Sequence, residues 1–135
     1  MIDFHNHVVP NVDDGPKSLD ESIEMLKHAS SQGITEVVQT VHFQHPKMDN
    51  KNVNFDYLSN ELCKLQNIID KNNINIKLHL SAEVFYLPNL LDIKDNPLIT
   101  FGEKKYMLIE FKPNIYPTGY EDEFFNLQTN GITPI

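Results

Sequence analysis

The sequence predicts an α/β fold built on parallel strands, and three observations carry that expectation. Short β-branched runs alternate with helical segments along the chain. Each stretch between successive strands is long enough to hold a crossover helix, which parallel pairing requires. The apolar residues also change spacing, from every second position to every third or fourth, as one segment gives way to the next.

The elements follow in order. Met1-Ile2-Asp3-Phe4 is a β-prone lead into His5-Asn6-His7. In an extended strand alternate side chains share a face, which puts His5 and His7 together and Ile2 and Phe4 opposite. Ser18-Leu19-Asp20-Glu21 fits a capping box, with Glu21 reaching back. Pro16 before it and Gly33 after it bracket a helix whose apolar face is Leu19, Ile23, Leu26 and Ser30. Residues 34–41 read as a strand ending at His42. Phe55 to about Lys71 is the next helix, with Phe55, Leu58, Leu62, Leu65 and Ile69 on one stripe and Cys63 as a packing residue. Asn72-Asn73 ends it. Ile76, Leu78, Leu80 and Ala82 then alternate against Lys77, His79, Ser81 and Glu83 in a third strand. A helical turn at 88–93, a strand at 106–111 and a helix from about Tyr120 to Thr129 come next. Gly131 leads into the start of a further strand at 132–135.

Such a series makes either an open doubly wound sheet or a barrel. No glycine-rich phosphate loop follows the first strand, which weighs against the dinucleotide-binding version. A closed (β/α) barrel takes roughly 200 residues or more. The 135 residues therefore predict the front part of a barrel, as a single partial domain spanning 1–135.

Composition narrows the partners. A net charge of -8 argues against nucleic-acid binding, which needs a basic surface. No apolar run approaches the length of a membrane span. The chain runs straight into Asp3 and His5 without a basic segment and an apolar stretch, so no signal peptide is expected. The single cysteine excludes an internal disulfide framework. The expected location is the cytoplasm.

In a parallel barrel the active site forms at the C-terminal ends of the strands. His5, His7, His42, Glu83 and Glu110 all fall at such ends, and Asp13 and Asp14 lie in the first loop there. Imidazole and carboxylate together suit Mn, Fe or Zn, and several carboxylates suit a cluster better than one ion. Carboxylates can bridge two ions about 3.5–4 Å apart, an arrangement used to hydrolyse phosphate esters. Glu83 and Glu110 end apolar strands, where an unpaired carboxylate is costly to bury. Ligation explains them; an ion pair or a helix N-terminus is the alternative. Asp13-Asp14-Gly15-Pro16 is by composition an ordinary turn. Its place after His-x-His nominates Asp14 as a ligand and Asp13 as a turn or supporting residue. His45 reads as solvent-exposed, with substrate contact as the alternative. His79 reads as a satisfied interior histidine and His28 as surface.

Met1-Ile2-Asp3-Phe4-His5-Asn6-His7, followed by Val12-Asp13-Asp14-Gly15-Pro16-Lys17-Ser18, resembles the opening of the PHP (polymerase and histidinol phosphatase) superfamily. Within it, the chain is similar to the bacterial manganese-dependent tyrosine-protein phosphatases encoded with capsule and exopolysaccharide genes. Thr40-Val41-His42, Ala82-Glu83 and Leu108-Ile109-Glu110-Phe111 match the later motifs of that group in order and spacing. The resemblance implies a distorted (β/α) TIM-like barrel of the PHP type with a three-ion cluster of Mn2+, Fe or Zn being the alternatives. It implies a metal-dependent protein tyrosine phosphatase acting on a tyrosine kinase of polysaccharide export. Carried over residue by residue, His5, His7 and Glu83 would hold one ion. Glu83 would bridge to a second with Glu110, and Asp14 and His42 would help hold a third.

The resemblance also implies what lies elsewhere. The group's next histidine ligand, a phosphate-binding arginine and a later Asp and His fall beyond Ile135. No metal site is then expected to be complete in these residues, and the chain reads as an N-terminal fragment with little activity of its own. Val41 stands where a small residue or proline is usual, and the following loop lacks the group's basic residues, which bears on substrate preference. Two other readings are a small-molecule phosphoesterase of the histidinol phosphatase kind and a truncated, non-catalytic metal-binding or interaction protein. The open sheet edges of a half barrel would favour self-association into a homo-oligomer.

Overall fold

Three helices hand the chain to the following strand by one device, and that device sets the architecture. The computed structural model describes residues 1–48, 51 and 53–135; the end of the loop after His42 lies partly outside them. Helix α1 (Leu19–Ser31), helix α2 (Phe55–Lys71) and helix α4 (Tyr120–Thr129) are each followed by a residue in the left-handed region: Gly33, Asn73 and Gly131. In each case two backbone bonds close the end. Gly33 N–H donates to the Ser30 carbonyl and Ile34 N–H to Ala29; Asn73 donates to Asp70 and Ile74 to Ile69; Gly131 donates to Gln128 and Ile132 to Leu127. This is the Schellman pattern, which satisfies the last carbonyls of a helix and seats an apolar residue just beyond it. Ile34, Ile74 and Ile132 are those residues, all packed in the core.

Among the described residues the strands are β1 (Ile2–Asn6), β2 (Glu36–Phe43), β3 (Lys77–Phe85), β4 (Tyr106–Glu110) and β5 (Thr133–Pro134), with a short helix α3 (Leu90–Ile93) after β3. They form one sheet in sequential order, every neighbouring pair parallel. A doubly wound sheet reverses its strand order at a switch point; this one never does. Same-handed crossovers then put the helices on one face. Leu26 of α1 and Leu62, Leu65 and Ile69 of α2 bury against Val37 and Leu78. Leu58, Leu90 and Leu127 bury against Val41, Ala82, Val84 and Met107. The other face is left open, and Ile2, Phe4 and Tyr106 stand exposed there.

Several details differ from the sequence reading. The α1 face is built on Ser22 and Leu26, because Ser22 turns its hydroxyl back to the Ser18 carbonyl (3.3 Å) and can be buried; Leu19 is exposed. Ser18 caps the Glu21 N–H (3.2 Å), but the Glu21 carboxylate accepts from Lys17 N–H (2.6 Å) rather than from Ser18. Phe55 begins α2 as expected but lies at its exposed first turn, and Cys63 is exposed rather than packed. Ile2 and Phe4 line a cavity with Val38 and His79, the face that also carries His42 and Glu83. No helix among the described residues is long and apolar enough to cross a membrane.

The left-handed closures make opposite predictions for similar residues. Gly33→Ala should cost about 1–2 kcal/mol, the penalty for a Cβ in that conformation. Asn73→Gly should leave stability unchanged or raise it. Urea titrations of the two variants decide.

Candidate metal centre

The site begins with an irregularity in β1. Ile2 pairs with Glu36 and Asp3 with Val37, but Asn6 pairs with Gln39, so β1 carries one residue more than β2 over this stretch. That is a β-bulge. Asp3 and Asn6 both share a face with helix-side residues of β2, and the Asn6 amide donates to the Asp3 carboxylate (2.7 Å). Unbroken alternation would have turned His7 to that same helix side. The bulge turns it to the open face instead.

Strand β2 then catches the departing chain. The Thr40 hydroxyl donates to the Asn6 carbonyl (3.2 Å), and the buried Gln39 Oε1 accepts from Val8 N–H (2.5 Å) and Val9 N–H (2.8 Å). His5 Nε2 and His7 Nε2 thereby come 3.0 and 3.3 Å from Glu83 Oε2. Register does the rest. His42 is the direct partner of Glu83, and Glu110 the partner of Phe85. His42 Nδ1 lies 3.4 Å from Glu83 Oε2 and 3.5 Å from Glu110 Oε2, while His42 Nε2 lies 3.4 Å from Asp14 Oδ1.

All six nominated residues therefore meet, in three groups: His5, His7 and Glu83; His7, Asp14 and His42; His42, Glu83 and Glu110. Each group shares a member with each of the others. His42 and Glu83 are buried, whereas His5 and Asp14 form an exposed rim beside a cavity of about 340 Å³. The donor set fits a metal on one further observation. His42 Nδ1 and Glu110 Oε2 are both buried and neither makes a hydrogen bond. A buried polar atom left unpaired costs about 1–3 kcal/mol. Two of them 3.5 Å apart, not bonded to each other, leave lone pairs that a cation would satisfy. Nitrogen and oxygen donors without a thiolate suit Mn, Fe or Zn.

Charge is concentrated at His7. Burial opposes a charged ring there, but hydrogen bonds to Asp13 and Glu83 outweigh it and push the His7 pKa up to about 10. Burial would raise the Glu83 and Asp13 carboxyls; the histidines around them, and backbone N–H donors at Asp13, hold both below their ordinary values instead.

Two further residues belong here, one that the sequence placed in solvent and one that it did not single out. His45 is not solvent-exposed: its side chain is 12% exposed, its Nε2 lies 3.8 Å from Glu110 Oε2, and its ring packs 5.0 Å from those of His42 and Phe85. The cause is Gln44, in the left-handed region, whose amide donates to the Phe85 carbonyl (2.8 Å) and folds the loop back. Gln39 gave only a weak signal, a lone amide in a β-branched strand. His79 is satisfied by Glu36 at 2.7 Å, and His28 is exposed, both as expected.

A sequentially ordered parallel sheet with histidines and carboxylates gathered at its C-terminal edge defines a class: an α/β protein with a candidate polynuclear metal site. The whole chain, residues 1–135, matches the family described as capsular polysaccharide synthesis, CpsB/CapC, and it belongs to that family. It is 35% identical to CapC of Staphylococcus aureus, over all of this chain and 52% of that protein. It is 30% identical to the tyrosine-protein phosphatase YwqE of Bacillus subtilis, again over all of this chain and 52% of the relative. The chain thus spans about half the length of the curated relatives it matches. A crystal structure from work on YwqE of Bacillus subtilis and CpsB of Streptococcus pneumoniae, described as metal-dependent tyrosine phosphatases, superposes with a TM-score of 0.87 at 29% identity. The match covers 99% of this chain and 53% of the other.

Two outcomes follow from the geometry. A Cβ on Gly15 would stand 2.9 Å from both the Cβ and the carbonyl oxygen of His7, so Gly15→Ala should displace His7 and weaken Zn2+ binding, read by competition with a chelating dye. A metal ion on His7 must also displace its proton, since the raised pKa keeps the metal-free ring charged at neutral pH. Affinity should therefore rise with pH up to about 10. Titration calorimetry in two buffers of different ionisation enthalpy should show proton release at pH 7; equal heats would contradict it.

Proposed function

We propose that this chain is the front part of a metal-dependent protein tyrosine phosphatase, with residues 1–135 forming the first strands of a single distorted (β/α) barrel of the PHP type. The observation that carries this reading is the trio of overlapping groups at the C-terminal edge of the sheet, with His42 Nδ1 and Glu110 Oε2 buried and unpaired between them. The names of the relatives support the reaction class, and the metal dependence of the structural neighbour supports the cofactor.

His5, His7 and Glu83 would hold one ion, Glu83 and Glu110 a second, and Asp14 with His42 a third, with Mn2+ as the favoured metal. When bound, such ions lower the pKa of a water and neutralise charge on phosphoryl oxygens. The chain supplies the geometry. Glu83 sits where one carboxylate oxygen meets three imidazoles. His45, packed on His42 beside Glu110, closes one side of the mouth. The opening over His5, His7 and Asp14 is broad and faces solvent, which suits a phosphorylated side chain standing out from a protein better than an enclosed metabolite. The substrate we favour is phosphotyrosine on a tyrosine kinase of polysaccharide export, met in the cytoplasm.

With Mn2+, the chain should release phosphate from a phosphotyrosine peptide in preference to histidinol phosphate, though slowly beside relatives of twice its length. Glu83→Ala should lower both Mn2+ content and rate, by more than the roughly 10–100-fold that loss of a supporting residue costs. Cleavage of histidinol phosphate alone would overturn the reading in favour of a small-molecule phosphoesterase.

A further inference from the structure

We infer that Asp13, which stands outside the ligand groups, is the positioning residue that decides which ring nitrogen His7 offers to a metal ion. This rests on the metal-site reading and not on the phosphatase activity. The Asp13 side chain is 2% exposed, and a buried carboxylate is costly without partners. Its neighbour Lys17 does not supply one: the Lys17 ammonium donates to the Asp13 backbone carbonyl (2.9 Å) instead. The partners are at the metal centre. Asp13 Oδ2 lies 2.7 Å from His7 Nδ1 and accepts from the His42 backbone N–H (3.4 Å); Asp13 Oδ1 accepts from Gly15 N–H (3.1 Å). One carboxylate thus ties together the exit of β1, the turn after it and the end of β2.

The consequence is chemical. An ionised carboxylate only accepts hydrogen bonds, so the nitrogen facing it must carry a proton. With Nδ1–H committed to Asp13, the lone pair of neutral His7 lies on Nε2, which faces Glu83 Oε2 at 3.3 Å. His7 belongs to two of the three ligand groups. Its Nδ1 approaches Asp14 Oδ1 at 3.9 Å, but that nitrogen is already spent. Asp13 therefore assigns His7 to the ion shared with His5 and Glu83, and leaves Asp14 and His42 to complete their group from elsewhere. Gly15 is part of the same arrangement, because a Cβ there would stand 3.2 Å from Asp13 Oδ1.

The direct test uses the unmodified chain with 15N-labelled histidine, loaded with Zn2+, and long-range 1H–15N correlation spectra. His7 should show a protonated Nδ1 and a metal-shifted Nε2. The reverse pattern, or no Zn2+ uptake at micromolar concentration, overturns the inference. Asp13→Asn supplies the second arm. The amide keeps an oxygen for Gly15 N–H but presents a donor to Nδ1, driving the proton to Nε2, where it blocks ligation. Zn2+ affinity of the folded variant should fall roughly 10–100-fold, as for other residues that orient a metal-bound histidine, and the urea midpoint of the Zn2+-free protein should fall as well, because the partly buried His7 ring loses its charged partner. Zn2+ affinity of the folded variant unchanged from the parent's, with only the urea midpoint lowered, would show a structural role alone. If Asp13→Asn does not fold, the spectrum of the parent chain decides.

Discussion

The site depends on one extra residue in β1. A parallel pair in perfect step would present Asp3 and His7 to the same face, and that face is packed with helices. The bulge between Asp3 and Asn6 reverses the facing of everything after it. The six candidate ligands come from four strand ends and one loop, yet the others need only ordinary register to reach the open face. His42 and Glu83 are simple neighbours, and Glu110 follows by pairing with Phe85. His5 and His7 both need a break in the pattern, and the surrounding structure is arranged to hold that break in place.

The holding is done by polar groups in places where burial would favour apolar ones. A central parallel strand is covered on both faces and is normally a near-continuous hydrophobic run. In β2 that run is interrupted by Gln39 and Thr40, both fully buried. They supply the partners that Asn6, Val8 and Val9 lose when β1 leaves the sheet. The exchange is incomplete: Gln39 Nε2 and Ser81 Oγ are buried without hydrogen bonds among the described residues. Local rules broken around a functional site are the usual sign that geometry, rather than stability, governs those positions.

This division also explains what the sequence disclosed and what it hid. Helix α2 and helix α4 were legible close to their observed bounds because the apolar stripe of α2 and the stop signals at Asn72-Asn73 and Gly131 are local. The convergence of the six candidate ligands was legible because each lies near the end of a strand or in the first loop, and strand ends can be placed without knowing the register. The bulge was not legible. Plain alternation already put His5 and His7 on one face, so nothing in the pattern asked for an extra residue, and Ile2 and Phe4 were assigned to the wrong side. His45 was hidden for a different reason. Its burial depends on a left-handed Gln44 bonding to the carbonyl of Phe85, a contact across 41 residues. Ser22 was missed because serine buries only where its hydroxyl finds a backbone acceptor, which an apolar-spacing argument does not see.

The placement of these features separates stability from chemistry. The three left-handed helix closures all lie at the N-terminal ends of the strands they feed, and the isoleucines they seat belong to the two apolar clusters. None of the six candidate ligands belongs to either cluster. The clusters sit on the helix side, so most of the apolar burial that opposes chain entropy is completed without any contribution from the charged edge. That edge can then carry the buried Glu83 carboxylate and the unpaired Nδ1 of His42, a load that a core position would not tolerate. A metal ion entering there meets a frame already built at the other end of the sheet, so its binding energy can go into ordering the ligands rather than into folding the chain.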